Sequence, residues 1–368
     1  MLTDGKSTGG GTWSWARALA VLATAALLSG CGLGYLTQAA RGQLRVMHAR
    51  QPVDRLLASP DTTGGLRAQL EQVKRIRDFA SRELGLPDNA SYRSYADIKR
   101  PYVVWNVVAT PEFSVQPRTW CFPVAGCVAY RGYFSEAAAE AFAATLRQRG
   151  DDVVVGGVPA YSTLGRFADP VLSTMTGYGE LDLAAMIFHE LAHQVAYLPG
   201  DSSFNEAFAT TVEEAGLSRY AASQVREGAM SAALANRFAR RAARETLSQL
   251  FVLRRRELAA LYVRGGPVEE MRAAKAREFA ALADAIRAFE QQSGRPSGYR
   301  SWIESGLNNA HLASIATYFE EMPYFERLLA ERNGDLPGFY AAVRAVIAQR
   351  SAEAKGPRRR HSSPGPRT

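Results

Sequence analysis

Two histidines and two glutamates carry the clearest chemistry in this sequence. His189 and His193 lie in the segment Ile187–Gln194, which reads IFHELAHQ and contains the pattern HExxH. On a helix, residues four apart lie one turn apart on the same face, so both imidazoles can point to one metal ion. Glu190 then lies beside that ion, where it can take a proton from a water molecule that zinc acidifies. The pattern predicts two zinc ligands and a general base.

The residues around the motif argue against an ordinary surface helix. A surface helix that carries two histidines by chance would be polar on its remaining faces. Here the neighbours are apolar, namely Ala184, Ala185, Met186, Ile187, Phe188, Leu191, Ala192 and Val195. This pattern predicts a helix buried nearly all round, in which a His-His-Glu group without a metal would be costly to desolvate. We therefore favour the metal site.

Glu206 is the predicted third zinc ligand. The pair Pro199-Gly200 predicts the end of the first helix, and Asp201, Ser202 or Ser203 can cap a second helix that starts at once. A hairpin of the two helices would return Glu206 to the histidines and leave a fourth zinc position open to water. In the alternative, Ser203 and Glu206 form a capping box, in which the carboxylate only accepts a hydrogen bond from a backbone amide.

Three further polar residues flank these helices. Glu213 lies seven residues beyond Glu206, two helical turns along the same face. It can orient a histidine ligand from behind, or it can be a solvated helix glutamate. Arg166 and Asp169 precede the first helix, where they can line the cleft or pair with each other.

The two segments HELAHQ and NEAFATTVEE resemble those of the gluzincin aminopeptidases, which combine HExxH with a glutamate ligand in an Asn-Glu-x-Phe-Ala segment. The resemblance implies zinc ligands at His189, His193 and Glu206 and a general base at Glu190. Most of the chain after Cys31 also resembles a group of bacterial lipoproteins described as zinc aminopeptidases. That second resemblance rests on segments such as YSTLGRF, DP and LNNA.

Two features depart from the gluzincin pattern. Twelve residues intervene between His193 and Glu206, fewer than in those aminopeptidases, so the connecting loop must be tighter. The upstream Gly-x-Met-Glu-Asn segment, which holds the free amino terminus of a substrate, is also missing, and residues 122–134 read FPVAGCVAYRGYF instead. Hydrolysis at a metal is compatible with both departures, whereas restriction to amino-terminal residues rests on the resemblance alone.

Hydrolysis also requires a group that stabilises the oxyanion. Related gluzincins use a tyrosine downstream of the glutamate ligand, and Tyr318 is the predicted counterpart here. Asn308 and Asn309 are predicted to contact substrate amides. The alternative is that this aromatic segment belongs to the core. His311 is expected to be structural, because the zinc site already has three ligands.

The first 30 residues predict a lipoprotein signal peptide. Residues 18–28 form an apolar run that follows two basic residues and is too short to span a bilayer. The run ends in LSGC at 28–31, the pattern at which bacterial lipoprotein signals are cut and lipidated. We expect a lipid anchor on Cys31 in the outer membrane, facing the periplasm, because Gly32 stands where Asp would resemble an inner-membrane retention signal. The alternative is an ordinary secretory signal.

Cys121 and Cys127 are the two remaining cysteines. Thiols pair in an oxidising compartment, and the short loop between these two predicts a local disulfide. Its stabilisation should be at most about 2 kcal/mol, because the loop that it closes is short. A second metal site is the alternative, but two thiols alone could not complete it.

Half of the net charge of +8 lies at the end of the chain. Residues 352–368 contain Lys355, Arg358, Arg359, Arg360 and Arg367 against Glu353 alone. Their Pro, Gly, Ser and Arg content predicts a disordered basic tail at 351–368, which keeps the chain soluble or touches anionic lipids or cell-wall polymers. A nucleic-acid partner is not expected in the periplasm.

Hydrophobic periodicity predicts an α+β fold. Residues 37–85 show helical spacing, whereas residues 90–160 contain strand-like runs at 102–110 and 153–155 with a helix at 135–149 between them. From 181 to about 348 the pattern is almost entirely helical.

The expected arrangement is zincin-like, with a small mixed β-sheet packed on the zinc-binding helix. It comprises an N-terminal part at 31–180, with helices and the sheet, and a mainly helical, zinc-binding catalytic part at 181–350. The sequence thus predicts a zinc-dependent metallopeptidase, an aminopeptidase that hydrolyses peptides in the cell envelope with Glu190 as general base. An endopeptidase or a cell-wall peptide amidase would use the same residues. The non-enzymatic alternative is a zinc-stabilised scaffold lipoprotein.

Overall fold

The computed structural model describes residues 34–122, 126–224, 228–319 and 321–355. The predicted signal peptide and Cys31 lie outside these residues. The chain forms two compact units, which meet in sequence at His48 and Ala49. Residues 34–49 form helix α1, which contains the described part of the first unit.

The second unit is an α+β structure in which helices predominate, as the sequence predicts. Its strands are β1 (Arg50–Pro52), β2 (Ser94–Ala96), β3 (Val104–Thr110), β4 (Trp120–Phe122), β5 (Gly126–Val128), β6 (Arg131–Tyr133), β7 (Asp152–Val158) and β8 (Val171–Leu172). Its helices are α2 (Val53–Ala58), α3 (Gly64–Leu84), α4 (Glu136–Arg147), α5 (Glu180–Val195), α6 (Ser202–Ser223), α7 (Gly228–Arg264), α8 (Val268–Ser293), α9 (Arg300–Ser305), α10 (Asn309–Phe319), α11 (Met322–Ala330) and α12 (Leu336–Lys355).

The described strands form three small sheets rather than one. Sheet β1–β2–β8 is mixed, because β2 runs antiparallel to β1 and parallel to β8. Sheet β6–β3–β7 is antiparallel, and its long pair β3–β7 joins Val104 to Val158 and Thr110 to Asp152. Strands β4 and β5 form a separate hairpin. The single mixed sheet predicted from the sequence is wrong, because the short strands β4 and β5 pair only with each other, whereas β6 joins β3.

Helix α5 packs mainly against α6 and α3, and the sheet β6–β3–β7 packs mainly against α4 and α10. The expected packing of a sheet on the zinc-binding helix stays a prediction. Helix α3 contributes to this core a row of buried apolar residues at helical spacing, namely Leu70, Val73, Ile76, Ala80 and Leu84.

Helices α7 and α8 form a hairpin around Gly265-Gly266-Pro267. Its two arms, α7 and α8, share an apolar core in which Leu247, Phe251 and Leu258 lie in one cluster with residues of α8. Both glycines have positive φ, at +66° and +141°, which an ordinary side chain would resist.

The predicted division near residue 180 falls between β8 and α5. The two parts pack together, because α10 packs on β3 and β7 and α5 packs on α3. The predicted tail begins at 351, but α12 continues to Lys355, and residues 356–368 lie outside the described part. Within the described ranges, none of the helices combines the length and the apolar character that a bilayer span requires.

Candidate functional site

His189 and His193 share one face of helix α5. Their ring centroids are 4.9 Å apart and the ring planes are nearly perpendicular, at 85°. The spacing of four residues places them one turn apart. The helix starts with Glu180 and Asp182 in its first turn, where acidic side chains favour the positive end of the helix dipole. The local sequence thus both forms α5 and aligns the two imidazoles.

A tight connection at 196–201 joins α5 to α6. The Asp201 carboxylate caps α6 by accepting a hydrogen bond from the Phe204 N–H at 3.0 Å. The buried amide of Asn205 accepts from the Leu198 N–H at 2.7 Å and donates to the Leu198 carbonyl at 2.8 Å. These bonds fix the short turn that the spacing of the motif requires.

The hairpin β4–β5 lies against this connection. Cys121 and Cys127 are bonded to each other, which confirms the predicted disulfide. Gly126, with φ of +73°, approaches the turn so closely that a Cβ atom there would lie 2.5 Å from the Gly200 nitrogen. Because backbone blocks the space on that side, a residue larger than glycine would push the hairpin and the turn apart.

Glu206 completes a cluster of three residues with the two histidines. Its Oε2 lies 3.3 Å from His189 Nε2, and its Oε1 lies 3.8 Å from His193 Nε2. The ligand atoms of the three residues all lie within 4.8 Å of one another. The alternative capping box is not formed, because Asp201 caps the helix and the buried Ser203 hydroxyl has no partner among the described residues.

A second carboxylate, that of Glu213, lies behind His189. Its Oε2 is 3.2 Å from His189 Nδ1, while its Oε1 accepts a hydrogen bond from Arg237 Nη2 at 2.6 Å. Arg237 also pairs with Asp182 at the start of α5. His189 is therefore held at both ring nitrogens, and helix α7 reaches the site through Arg237. This arginine could not be singled out from the sequence, because α7 contains many arginines.

Burial and charge shift the pKa values of the clustered residues in different directions. Burial opposes the charge of His189, but hydrogen bonds with Glu206 and Glu213 raise its pKa well above the usual value. Burial lowers the pKa of His193 to about 4, so its imidazole is neutral. Burial also disfavours the charge of Glu206, yet His189 and His193 lower its pKa below the usual range. Burial raises the pKa of Glu190 to about 7.

The donor set of this cluster fits a zinc ion. Two imidazole nitrogens and one carboxylate oxygen are the ligands of a catalytic zinc site, which keeps one further position open. A carboxylate that accepts from the second nitrogen of a ligand histidine is the usual outer partner, and Glu213 has this position behind His189. His189, His193 and Glu206 could hold the ion.

Asn308 and Asn309 bond the start of α10 to its surroundings. Asn309 is fully buried, and its amide donates to the Glu112 carbonyl and accepts from the Tyr262 hydroxyl. The Asn308 amide donates to the Val153 carbonyl of β7, and its oxygen accepts from the Ala310 N–H. Their contacts with substrate amides stay a prediction.

His311 is buried beside Trp302, with ring centroids 4.6 Å apart, and its Nδ1 accepts from the Asn308 N–H at 3.1 Å. It does not belong to the three-residue cluster, which agrees with the structural role expected for it. Tyr318 lies on α10, but its side chain is outside what the structure describes. Its role as oxyanion donor stays a prediction.

Asp169 bonds to Thr163 rather than to Arg166. Its carboxylate accepts from the Thr163 N–H and hydroxyl, each at 2.8 Å. Among the described residues no ion pair joins Arg166 to Asp169, so this alternative is wrong. Burial raises the pKa of Asp169 to about 6, although the bonds from Thr163 oppose this shift.

The fold and the site together define an α+β protein in which a helical hairpin carries a group suited to metal-assisted hydrolysis. A sequence model of the family described as "Putative aminopeptidase" matches residues 34–356. The chain belongs to this family, and membership implies a peptidase. Searches of curated proteins and of solved structures found no significant match.

Proposed function

We propose that this protein is a zinc-dependent aminopeptidase of the bacterial cell envelope, with a zincin-like catalytic part of the gluzincin type. The observation that carries the proposal is the convergence of His189, His193 and Glu206 within 4.8 Å, with Glu190 next to the first ligand in sequence. The family assignment supports the peptidase class.

A zinc ion at this cluster would polarise the scissile carbonyl and lower the pKa of water. Glu190 accepts the proton of the attacking water and passes it to the leaving amine. Because burial raises the pKa of Glu190 to about 7, its carboxyl group can both take and release a proton near neutral pH. Glu213 accepts from Nδ1 of His189, which leaves the lone pair of Nε2 free to bind a metal. Tyr318 remains the proposed donor to the oxyanion.

The proposed location is the outer membrane, with a lipid anchor on Cys31 and the catalytic part in the periplasm. The disulfide between Cys121 and Cys127 supports an oxidising compartment, because cytosolic thiols are kept reduced. The proposed substrates are peptides of the envelope. Mass spectrometry of the amino-terminal peptide from membranes tests the anchor, and an unmodified Cys31 would contradict it.

The central experiment measures bound zinc and hydrolysis of a mixed peptide library by the full-length protein, with mass spectrometry of the products. We expect one zinc per chain and removal of residues one at a time from the amino terminus. Internal cuts would indicate an endopeptidase, and release of cell-wall peptides an amidase. A chain that binds zinc and cuts nothing would contradict the peptidase and favour the scaffold.

Glu190→Gln is the matched variant for this experiment. It keeps the size of the side chain and removes the base, so we expect unchanged zinc content and a loss of kcat of about 10³-fold, within the range for a general base. Glu214→Gln, on helix α6 and paired with Arg241, is the control that changes a half-buried carboxylate outside the cluster. Equal loss in both variants would contradict a specific role for Glu190.

A further inference from the structure

Tyr92 is a buried residue held in an unfavourable conformation. Only 1% of it is exposed, its φ is +60°, and its hydroxyl has no hydrogen-bond partner among the described residues. Positive φ is uncommon for a bulky residue, and a buried hydroxyl without a partner loses its bonds with water. Both features lower stability, and such strain persists where the surrounding structure enforces it.

The buried guanidinium of Arg77 enforces the conformation of the loop that precedes Tyr92. Its Nε donates to the Ser91 carbonyl at 2.8 Å, and its Nη2 donates to the carbonyls of Pro87 at 2.6 Å and Asn89 at 3.1 Å. Only 1% of Arg77 is exposed, so a buried cation of α3 binds the carbonyls of this loop. On the other side, the Tyr92 N–H donates to the Asp169 carbonyl at 2.6 Å.

The same loop is bonded to the helix of the metal cluster. Gln194, the residue after His193, accepts from the Asn89 amide at 2.8 Å and donates to the Ser91 hydroxyl at 3.3 Å. Gln194 lies one turn beyond Glu190 on the same face of α5, because the two are four residues apart. The loop therefore brings Tyr92 to the face of α5 that carries Glu190.

The electrostatic surroundings of the phenol agree with this placement. Burial raises the pKa of Tyr92 well above its usual value, and the charge of Glu190 is the next largest cause, ahead of Asp169. The hydroxyl thus keeps its proton, and it is a buried donor, without a partner among the described residues, on which the charge of Glu190 acts. Catalytic hydrogen bonds are often longer in free enzymes and shorten when substrate binds.

We infer that Tyr92 is a positioning residue for Glu190, whose carboxylate accepts a hydrogen bond from the Tyr92 hydroxyl in the working enzyme. This bond uses one oxygen of Glu190 and directs the other toward the attacking water. The inference rests on the proposed function, because it assigns Glu190 as the base. It also explains why the fold maintains Arg77 and a tyrosine at positive φ in a loop that would otherwise relax.

The test replaces Tyr92 by Phe, which removes the hydroxyl and keeps the ring. We expect a decrease in kcat of about tenfold with KM, zinc content and thermal midpoint unchanged or improved, because a buried hydroxyl without a partner is not a source of stability. Tyr95→Phe, on the adjacent strand β2, is the matched control and should leave kcat unchanged. A Tyr92→Phe variant with full kcat would overturn the inference and leave the proposed function intact.

A second measurement does not depend on activity. Infrared difference spectra of zinc-loaded wild type and Glu190→Gln, both with a dipeptide hydroxamate bound, identify the band of the Glu190 carboxyl group. Tyr92→Phe should move this band, whereas Tyr95→Phe should not. If the wild type cuts no peptide, the proposed function fails, but the infrared band still tests the contact. A band that Tyr92→Phe leaves in place rejects the contact between Tyr92 and Glu190, and a band that it moves supports it.

Discussion

The start of α6 and the start of α10 look alike in sequence and differ in structure. Each combines asparagine with a histidine or glutamate in a short polar segment that opens a buried helix. Around α6, Glu206 meets two histidines of a neighbouring helix, and its oxygens point into their shared cluster. Around α10, His311 and Asn309 bond to backbone and to Tyr262. A polar segment forms a site only where its ligand atoms are left unused by the fold.

The largest test of this comparison replaces one histidine in each region. His193→Gln should reduce zinc to well below one per chain and reduce kcat by at least about 10³-fold, because a catalytic metal contributes several kcal/mol to transition-state stabilisation. His311→Gln should retain zinc and kcat while lowering the thermal midpoint. Metal analysis and steady-state kinetics of both variants test this prediction. Loss of zinc from His311→Gln would contradict the distinction between the metal cluster at α6 and the structural histidine at α10.

The pH dependence of stability should report His311. Burial lowers its pKa to about 4, below the value of 6.5 for an unfolded histidine. The unfolded chain therefore binds the proton first, so the contribution of His311 is complete above pH 6.5 and is lost as the pH falls to about 4. The difference corresponds to about 3 kcal/mol.

Urea unfolding at pH 7 and pH 4.5 measures this effect in the metal-free protein. His311→Gln should lose less free energy of unfolding over the same interval than the wild type does. Equal losses of free energy of unfolding in the two proteins would show that His311 is accessible to protons in the folded state.

Two asparagines provide a smaller and more selective test. Asn205→Ala and Asn309→Ala each remove buried hydrogen bonds, so each should lower the free energy of unfolding by about 2 kcal/mol. Only Asn205→Ala should also weaken zinc binding, because Asn205 bonds Leu198 in the turn between the ligand helices. Zinc titration against a competing chelator measures the zinc affinity of each variant. Similar affinities in Asn205→Ala and Asn309→Ala would show that zinc binding does not depend on the hydrogen bonds of Asn205.

Local patterns were enough to predict the cluster, because HExxH, the Pro199-Gly200 turn and the Asp201 cap all act within about one helical turn. The disulfide followed from two cysteines six residues apart. Arg237 and Tyr92 could not be predicted in this way. They reach the site from α7 and from the loop after α3, and no periodicity marks a residue whose role depends on a distant helix.

The sheets were predicted less well for a related reason. Strands of three residues, such as β4 to β6, give too short an alternation to reveal their partners. The backbone bonds of Asn308 and Asn309 could not be predicted, because an amide that bonds distant backbone and one that binds substrate have the same sequence. The difference depends on β3 and β7, which lie more than 140 residues earlier.

The contact between Gly126 and Gly200 links cysteine chemistry to metal loading. We expect the hairpin to be less ordered before the disulfide forms, and therefore to support the turn between α5 and α6 less firmly. A chain still in a reducing cytosol would therefore hold zinc poorly, and one that has reached an oxidising compartment would hold it well. If the chain is exported as proposed, its metal site would load zinc only after the chain has left the cytosol. This order would protect newly made cytosolic proteins from cleavage.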